Sequence, residues 1–519
     1  MSLARNVATV GGITLLSRLL GFVRDMLIAA VFGTGIRADA FFVAFQFASL
    51  IRKLLAEGAM NSAVVPLYLR ARDEGGEAAA ARYAGQLIGT LTVALAGLTV
   101  LLALAMPLVI VVLAPGFAFG DPRLPMAVEL SRLMLPFLAL SGPLAILMGV
   151  LNANHRFANA ALVAVVFNAV MLFAIGVVFW LQSGDSALSG RIVAVSVALA
   201  GLAQLMLVGI AVRLGPARVT PLSVSFGAPV RRFLTLALPG LVASGIPQIT
   251  IIAATMVASA SQSAVSWLYY ANRLIELPLG IVGIAIGTVM VPAFAHALRS
   301  GDKAELAAAE SRGLEAAMLL ALPAAVGLAV LASPIVAVLF ERGAFTASDT
   351  TATAAALSAL ALGVPGHVLT KAFSSIFFAR EDTATPMQAA LVGFAVALVG
   401  SLVLLPGFGH IGVALATGLS GWVSAGVLGA VIARRIGFSL DSDARRRLPR
   451  IVIAAAAMGV AIVALQMALA PWLAGPSTLI RLAGLSALVG VGLAVYAALL
   501  HLLRVAQLRD LMKALRRPS

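Results

Sequence analysis

The stretch from Val7 to Phe32 reads VATVGGITLLSRLLGFVRDMLIAAVF, an unbroken apolar run that nevertheless holds Arg18, Arg24 and Asp25. An apolar run of ~20 residues or more is long enough to cross a bilayer as a helix. Charge at that depth is costly, and it usually faces a polar cavity, a partner or a permeation path. The second run repeats the pattern, with Asp39 near its start and Arg52, Lys53 and Glu57 farther along. A later run, from about residue 264, holds Arg273 and Glu276. Cations in excess of the nearest carboxylates predict a binding site for something anionic, and a transporter rather than a generic membrane protein.

The rest of the chain agrees with this solvent. Of 519 residues 61% are hydrophobic and 11% are charged, against roughly 25% charged in a soluble domain. The apolar runs are rich in Leu, Ala, Val and Gly and too long for barrel strands, so the expected fold is an all-α polytopic membrane protein. The first run lacks an Ala-X-Ala-like cleavage site and contains arginines, which reads as a retained span rather than a signal peptide. The absence of cysteine excludes structural disulfides and thiolate metal sites. His155, His296, His367, His410 and His501 are scattered without ligand spacing, so no metal site is expected. No phosphate-binding loop of the ATPase type and no nucleophile elbow occurs. The reading is therefore a non-enzyme without a cofactor or catalytic residues, driven by an ion gradient, the membrane potential or its substrate's own gradient.

Fourteen spans are expected, at about 7–32, 39–69, 83–113, 126–151, 159–181, 191–213, 230–258, 264–297, 311–340, 352–373, 386–406, 410–433, 450–470 and 478–503. The second and eighth are longer than a crossing needs and are expected to tilt or bend. Prolines at 66, 107, 136, 143, 239, 247, 278, 292, 323 and 365 fall within or near span ends and suggest bent helices around a cavity. Basic residues concentrate in alternate loops, among them Arg70, Arg72, Arg82, Arg156, Arg213, Arg231, Arg232, Arg299, Arg380 and Arg445 to Arg447. The opposite loops hold few, chiefly Arg37, Arg123, Arg191 and Arg342. The positive-inside rule then puts both termini in the cytoplasm. It also accounts for the net charge of +15 without nucleic acid, and the Arg445–Arg450 patch suits anionic lipid headgroups.

The chain repeats at an offset of about 226 residues, which aligns Pro66 with Pro292 and Pro107 with Pro334. It also sets Asn152 to Arg156 opposite Phe378 to Asp382. Six spans per copy is an even number, so both copies enter from the same side, with a pseudo-two-fold axis along the membrane normal. The predicted domains are an N-lobe (1–225), a C-lobe (226–440) and two further helices with a basic cytoplasmic tail (441–519). That last pair is either peripheral packing or a surface for a lipid-like substrate.

Within the charged set, Arg18 and Asp25 share a helix face, and Arg52 or Lys53 can reach Glu57. Arg273 and Glu276 share a face at a spacing of three. These are either internal ion pairs or, given the surplus of cations, part of an anion site, for which arginine's planar fork suits phosphate oxygens.

The run Ser17 to Asp25 (SRLLGFVRD) resembles the first-helix signature of the bacterial MurJ/MviN lipid II flippases, a family of the multidrug/oligosaccharidyl-lipid/polysaccharide exporter superfamily. The resemblance continues through Phe32-Gly33, Ala38 to Phe45, Arg52, Ala56 to Ala59 and Val65-Pro66. It returns at Ser266 to Leu274 with Glu276, and at Ala379 to Pro386. It covers nearly the whole chain. The resemblance implies transfer of lipid II, an undecaprenyl-pyrophosphate-linked peptidoglycan precursor, from the cytoplasmic to the periplasmic leaflet of the inner membrane. It implies two six-helix lobes around a cationic cavity, with the last two helices forming a groove for the polyprenyl tail, and cell-wall synthesis machinery as neighbours. Arg18, Arg24, Arg52 and Arg273 match the family's central arginines, and Asp39 and Glu276 match its functional acids; Asp25, Lys53 and Glu57 would support or gate the site. Gln46 departs from the family, standing where many relatives carry lysine, and Ala48-Ser49 replaces a Pro-Asn pair. The sodium ligands of some relatives are not matched. The competing readings are a flippase for another polyprenyl-linked glycan and a small-solute exporter of the same superfamily.

Overall fold

The computed structural model describes residues 3–53, 63–118, 120–215, 219, 223–225, 227–285, 294, 303–435, 441–473 and 477–505. All regular structure in that set is helical. The chain forms two compact units, Met1–Ser266 with Arg342–Phe345, and Trp267–Glu341 with Thr346–Ser519. Among the described residues nine helical stretches are long and apolar enough to cross a membrane. Many of their large apolar side chains point outward, such as Leu101, Leu104 and Leu108 on one helix and Phe173 and Trp180 on another. That surface suits lipid rather than water.

In the first unit, α1 (Leu3–Phe32) ends at Gly33, whose φ of +57° is a left-handed turn, and α2 (Ile36–Lys53) begins three residues later. A Cβ on Gly33 would collide with the carbonyl of Ala344. α3 (Val65–Leu113) breaks at Gly75 and Gly76, where the backbone leaves helical geometry. α4 (Arg123–Met134) and α5 (Pro136–Ala153) continue one another with a break at Leu135, just before a proline that cannot donate to the helix ladder. α6 (Phe157–Trp180), α7 (Ala187–Arg213) and α8 (Ala228–Ala258) complete the unit. Its core includes Tyr68, Leu87, Ile146, Val150, Val212 and Phe233, so α8 packs with the helices before it.

In the second unit, α9 (Ala264–Ala285), α10 (Lys303–Val330) and α11 (Ala332–Phe340) precede the turn at 341–346. α12 (Ala347–Ala361) starts with a capping box in which Thr346 and Asp349 satisfy each other's backbone N–H groups. α13 (Val364–Phe378) follows after a break and again has proline in its first turn. α14 (Ala384–Arg435) is 52 residues long, which as one rod would measure ~78 Å, well over twice the hydrocarbon thickness. It is instead a hairpin folded at Gly409, where φ is 55° and ψ is −138°. The halves touch along Gly393 with Ser424, Gly400 with Ala416, and Gly412 with the Leu404 carbonyl.

Of the final helices, α15 (Ser442–Ala468) and α17 (Thr478–Leu502) pack on α10 and α11, while the short α16 (Ala470–Leu473) between them packs on α15 and α17. Ile451, Met458, Ile462, Leu488 and Tyr496 meet Leu331 there. Polar ties fix the register: Tyr496 donates to the Leu319 carbonyl at 2.9 Å and Arg481 pairs with Glu341 at 3.1 Å.

One turn occurs in both units. After α5, His155 has φ 58°, His155 N donates to Asn152 O, and Arg156 N donates to Leu151 O. After α13, Glu381 has φ 61°, Glu381 N donates to Phe378 O, and Asp382 N donates to Phe377 O.

Candidate functional site

Arg24 and Asp25 are buried on α1, whereas Arg18 is exposed. Arg24 donates from Nε and Nη2 to Asp25 Oδ1 at 3.0 and 2.7 Å. Adjacent helix residues do not face each other, but the long arginine stem bends back far enough for this pair to form. The Asp25 carboxylate thus goes to Arg24 rather than to the Arg18 with which it shares a face. Arg24 Nη1 donates to Asn168 Oδ1 at 2.9 Å and touches Met171 Sδ at 3.8 Å. Asn168 is itself held, since its Nδ2 donates to the carbonyls of Ser17 at 3.0 Å and Ala164 at 3.1 Å. The guanidinium lies 5.1 Å from the Phe45 ring centre and 5.9 Å from that of Phe167. Arg52 lies 5.7 Å from the same Phe167 ring, so one aromatic side chain on α6 serves two cations. Lys53 Nζ donates to Gln248 Oε1 at 3.0 Å, and Glu57 lies outside the described residues.

In the second unit Arg273 and Glu276 form an ion pair of 2.8 Å along α9, partly open to solvent. Lys371, inside α13, donates to the Leu279 carbonyl at 3.3 Å, one turn beyond Glu276. Gln46 accepts a hydrogen bond from Thr255 at 2.8 Å. This position is a neutral tie between α2 and α8.

A second polar cluster gathers around Asp39 in the first turn of α2. Its carboxylate is fully buried. It accepts from Ser263 N at 2.8 Å, Ser266 N at 3.0 Å and Ser266 Oγ at 2.8 Å. The unsatisfied N–H groups and positive dipole of a helix start make α9 a natural partner for a carboxylate. Arg123 approaches the same carboxylate, with Nη1 3.5 Å from Oδ2. It is clamped by Asp121 through Nε at 3.0 Å and Nη2 at 2.7 Å, and it lies 4.4 Å from the Phe117 ring centre. The Arg123 fork, with the Arg123 backbone N–H, holds the Asp121 carboxyl below the usual carboxylate range.

The structure thus brings Arg24 and Arg52 to the Phe167 ring with Asp25 paired to Arg24, sets Arg273 beside Glu276, and gives Asp39 its own network. Sequence reading missed Phe167, Asn168, Arg123 and Lys371. Asn168 did leave a signal as the only amide side chain after Asn159 in the apolar run of α6, and Lys371 as a lone cation within a span. Arg123 gave none, because an arginine between spans reads only as an orientation marker.

The family described as lipid II flippase MurJ matches residues 28–483. A probable lipid II flippase MurJ of Rhizobium meliloti (strain 1021) is 39% identical over 519 residues, covering 100% of this chain and 97% of its own. Among solved structures, lipid II flippase MurJ in an inward closed conformation aligns with a TM-score of 0.78 at 23% identity, over 97% of this chain and 99% of its own. An inward-facing multidrug-resistance MATE transporter of the MOP superfamily aligns with a TM-score of 0.67 at 13% identity, over 83% of this chain and 98% of its own. The multi-pass all-helical fold, together with the flippase family model and these full-length relatives, defines a membrane transporter rather than an enzyme. Within that class, the chain belongs to the MurJ lipid II flippase family, and it is a polytopic inner-membrane protein.

Proposed function

We propose that this chain flips lipid II from the cytoplasmic to the periplasmic leaflet by alternating access, with the pyrophosphate held by Arg18, Arg24, Arg52 and Arg273. The observation that carries the reading is the Arg24 pocket, a guanidinium buried on an apolar helix with a second cation across one phenylalanine ring. Charge so placed is expensive to keep, and a diphosphate is a fitting partner for planar guanidinium forks. Four of the five Arg24 donor positions are engaged by Asp25, Asn168 and Met171. Loading therefore exchanges some of these contacts for phosphate oxygens, which makes Asp25 and Asn168 part of the binding step. Lys53, Glu57 and Glu276 adjust the charge around the site.

The architecture that serves this cycle is fourteen spans in lobes 1–225 and 226–440, with 441–519 as a polyprenyl-tail groove and cytoplasmic tail. The matching turns at His155 and Glu381, 226 positions apart, support the repeat. The hairpin at Gly409 supports two spans where one long helix would otherwise be counted. With both termini in the cytoplasm, the Asp39 network lies at the periplasmic mouth and acts as its closure, and anionic lipids bind the basic inner face. The cycle draws on an ion gradient or the membrane potential. The test is to deplete the protein in its host and follow lipid II across the two leaflets. Lipid II should accumulate on the cytoplasmic side, and Arg24→Ala should insert normally yet fail to restore growth; an unchanged leaflet distribution would sink the reading.

A further inference from the structure

The charged side chains on the apolar helices α9 and α13 of the second unit are Arg273, Glu276 and Lys371. Arg273 Nη1 donates to Glu276 Oε2 at 2.8 Å. A pair that close is near neutral as a whole, and it attracts an anion far less than a lone cation does. The net positive charge of this helix pair is therefore that of Lys371. A lysine in a membrane helix usually snorkels, carrying its head along its own helix toward the headgroups. Lys371 instead reaches across to α9, where Nζ donates to the Leu279 carbonyl at 3.3 Å. The α9 backbone makes room for it. A Cβ on Gly283 would stand 3.3 Å from Lys371 Nζ and 3.9 Å from its Cδ. Gly283 lies two helical turns beyond Glu276, on the face that Arg273 and Glu276 share. The Leu279 carbonyl is ~9 Å along the axis from Arg273, a gap that two long flexible stems close around one ligand.

We propose that Lys371 binds the substrate's diphosphate beside Arg273, a role that rests on Arg273 being a pyrophosphate ligand as proposed above. A diphosphate presents two adjacent phosphate groups. A guanidinium already shared with the Glu276 carboxylate serves one of them, and the lysine ammonium, a compact charge with three donors, serves the other. The bond from Lys371 to Leu279 is longer than the usual N–H···O range and ends on a neutral oxygen. Exchanging that oxygen for a charged phosphate oxygen strengthens the contact. The same arrangement selects between ligands. A prenyl diphosphate engages both cations at once, whereas a single phosphate, as in the headgroup of a bulk phospholipid, engages one.

The test is titration of the purified full-length protein in detergent with farnesyl diphosphate, farnesyl monophosphate and phosphatidylglycerol. The parent should prefer the diphosphate. Lys371→Met keeps the length of the side chain and removes its charge. It should weaken diphosphate binding about tenfold and monophosphate binding less than about twofold, the scale of one charge-assisted contact. Lys371→Arg should recover most of the diphosphate affinity. A lysine that merely ties α13 to α9 behaves otherwise: Lys371→Met then lowers the melting temperature of the ligand-free protein and weakens both farnesyl probes by the same factor, which overturns the proposal. Diphosphate binding unchanged in Lys371→Met overturns it too. So does phosphatidylglycerol that displaces the diphosphate from the parent but not from Lys371→Met, because Lys371 then holds bulk lipid. Arg24→Ala tells the two failures apart. If it loses the diphosphate while Lys371→Met does not, the role of Lys371 falls and the flippase reading stands. A parent that binds no diphosphate overturns both the Lys371 role and the assignment of the arginines to a pyrophosphate.

Discussion

A buried guanidinium needs acceptors more than it needs company, and Arg24 shows how they are supplied. One carboxylate comes from its own helix and one amide oxygen from α6, and the amide is pinned in turn by two carbonyls of other residues. Replacing Asn168 with leucine removes the acceptor without removing the charge. The expected cost is about 1–3 kcal/mol for a charged donor left unsatisfied. A thermal-melting measurement in detergent should show it, and melting unchanged from wild type would mean that Asn168 does not hold Arg24. The arginines themselves were legible in the sequence because charge in an apolar run is rare enough to stand out. Their partners were not, since nothing local says that Phe167 and Asn168 face α1. The same gap hid Arg123, whose importance depends wholly on what lies across from it. Position 46 shows the reverse: its departure from the family was visible, and the structure supplies its contact, a neutral bond to Thr255.

Elements begin and end where their backbone groups find partners. Asp382 lies just before α14 and accepts from the backbone N–H groups of Ala384 and Thr385 at 3.0 Å each, and from the Thr385 hydroxyl at 2.6 Å. The Thr385 hydroxyl and these amides hold its carboxyl below the ordinary value of 3.8. A depressed carboxylate stabilises the fold above its unfolded value, and the contribution fades as pH falls from there through the folded value. Melting should therefore be flat in Asp382's share near neutrality and decline below about pH 3.8. Asp382→Ala should lose about 1 kcal/mol at neutral pH, the size of a helix cap. Asp382→Asn should keep most of that and lose its part of the acid slope; an acid slope identical to wild type would refute the assignment. The breaks at Leu135 and before Val364 were legible through Pro136 and Pro365. The hairpin was legible through Pro406, Gly407 and Gly409. The bend at Gly75-Gly76 had only its glycines to announce it, and they fix where a helix can break but not which way it turns.

For the molecule as a whole, the repeat proposed from the sequence and the packing divide the chain differently. The repeat sets its boundary near residue 225, while the compact units part between Ser266 and Trp267, with α8 packed in the first. Sequence offsets carry no information on which helices pack together, so the second boundary was not readable in advance. The last two helices pack on α10 and α11 through an apolar seam with a few polar ties. Ending the chain at residue 440 leaves mostly apolar surface facing lipid, which costs little in a bilayer. The shortened protein should reach the membrane in normal amount yet fail to support growth, as immunoblotting and a complementation assay would show. Full complementation would make the pair mere packing. The hairpin of α14 has a consequence for what holds its halves together. Its seam is lined by Gly393, Gly400, Gly412, Ala416, Ser420 and Ser424, so the halves meet almost backbone to backbone. Lipid tails are as apolar as leucine, so water gives no drive to bring two such helices together in a bilayer. What keeps them side by side is close van der Waals contact over these small residues, which a single bulky side chain on the seam would wedge apart.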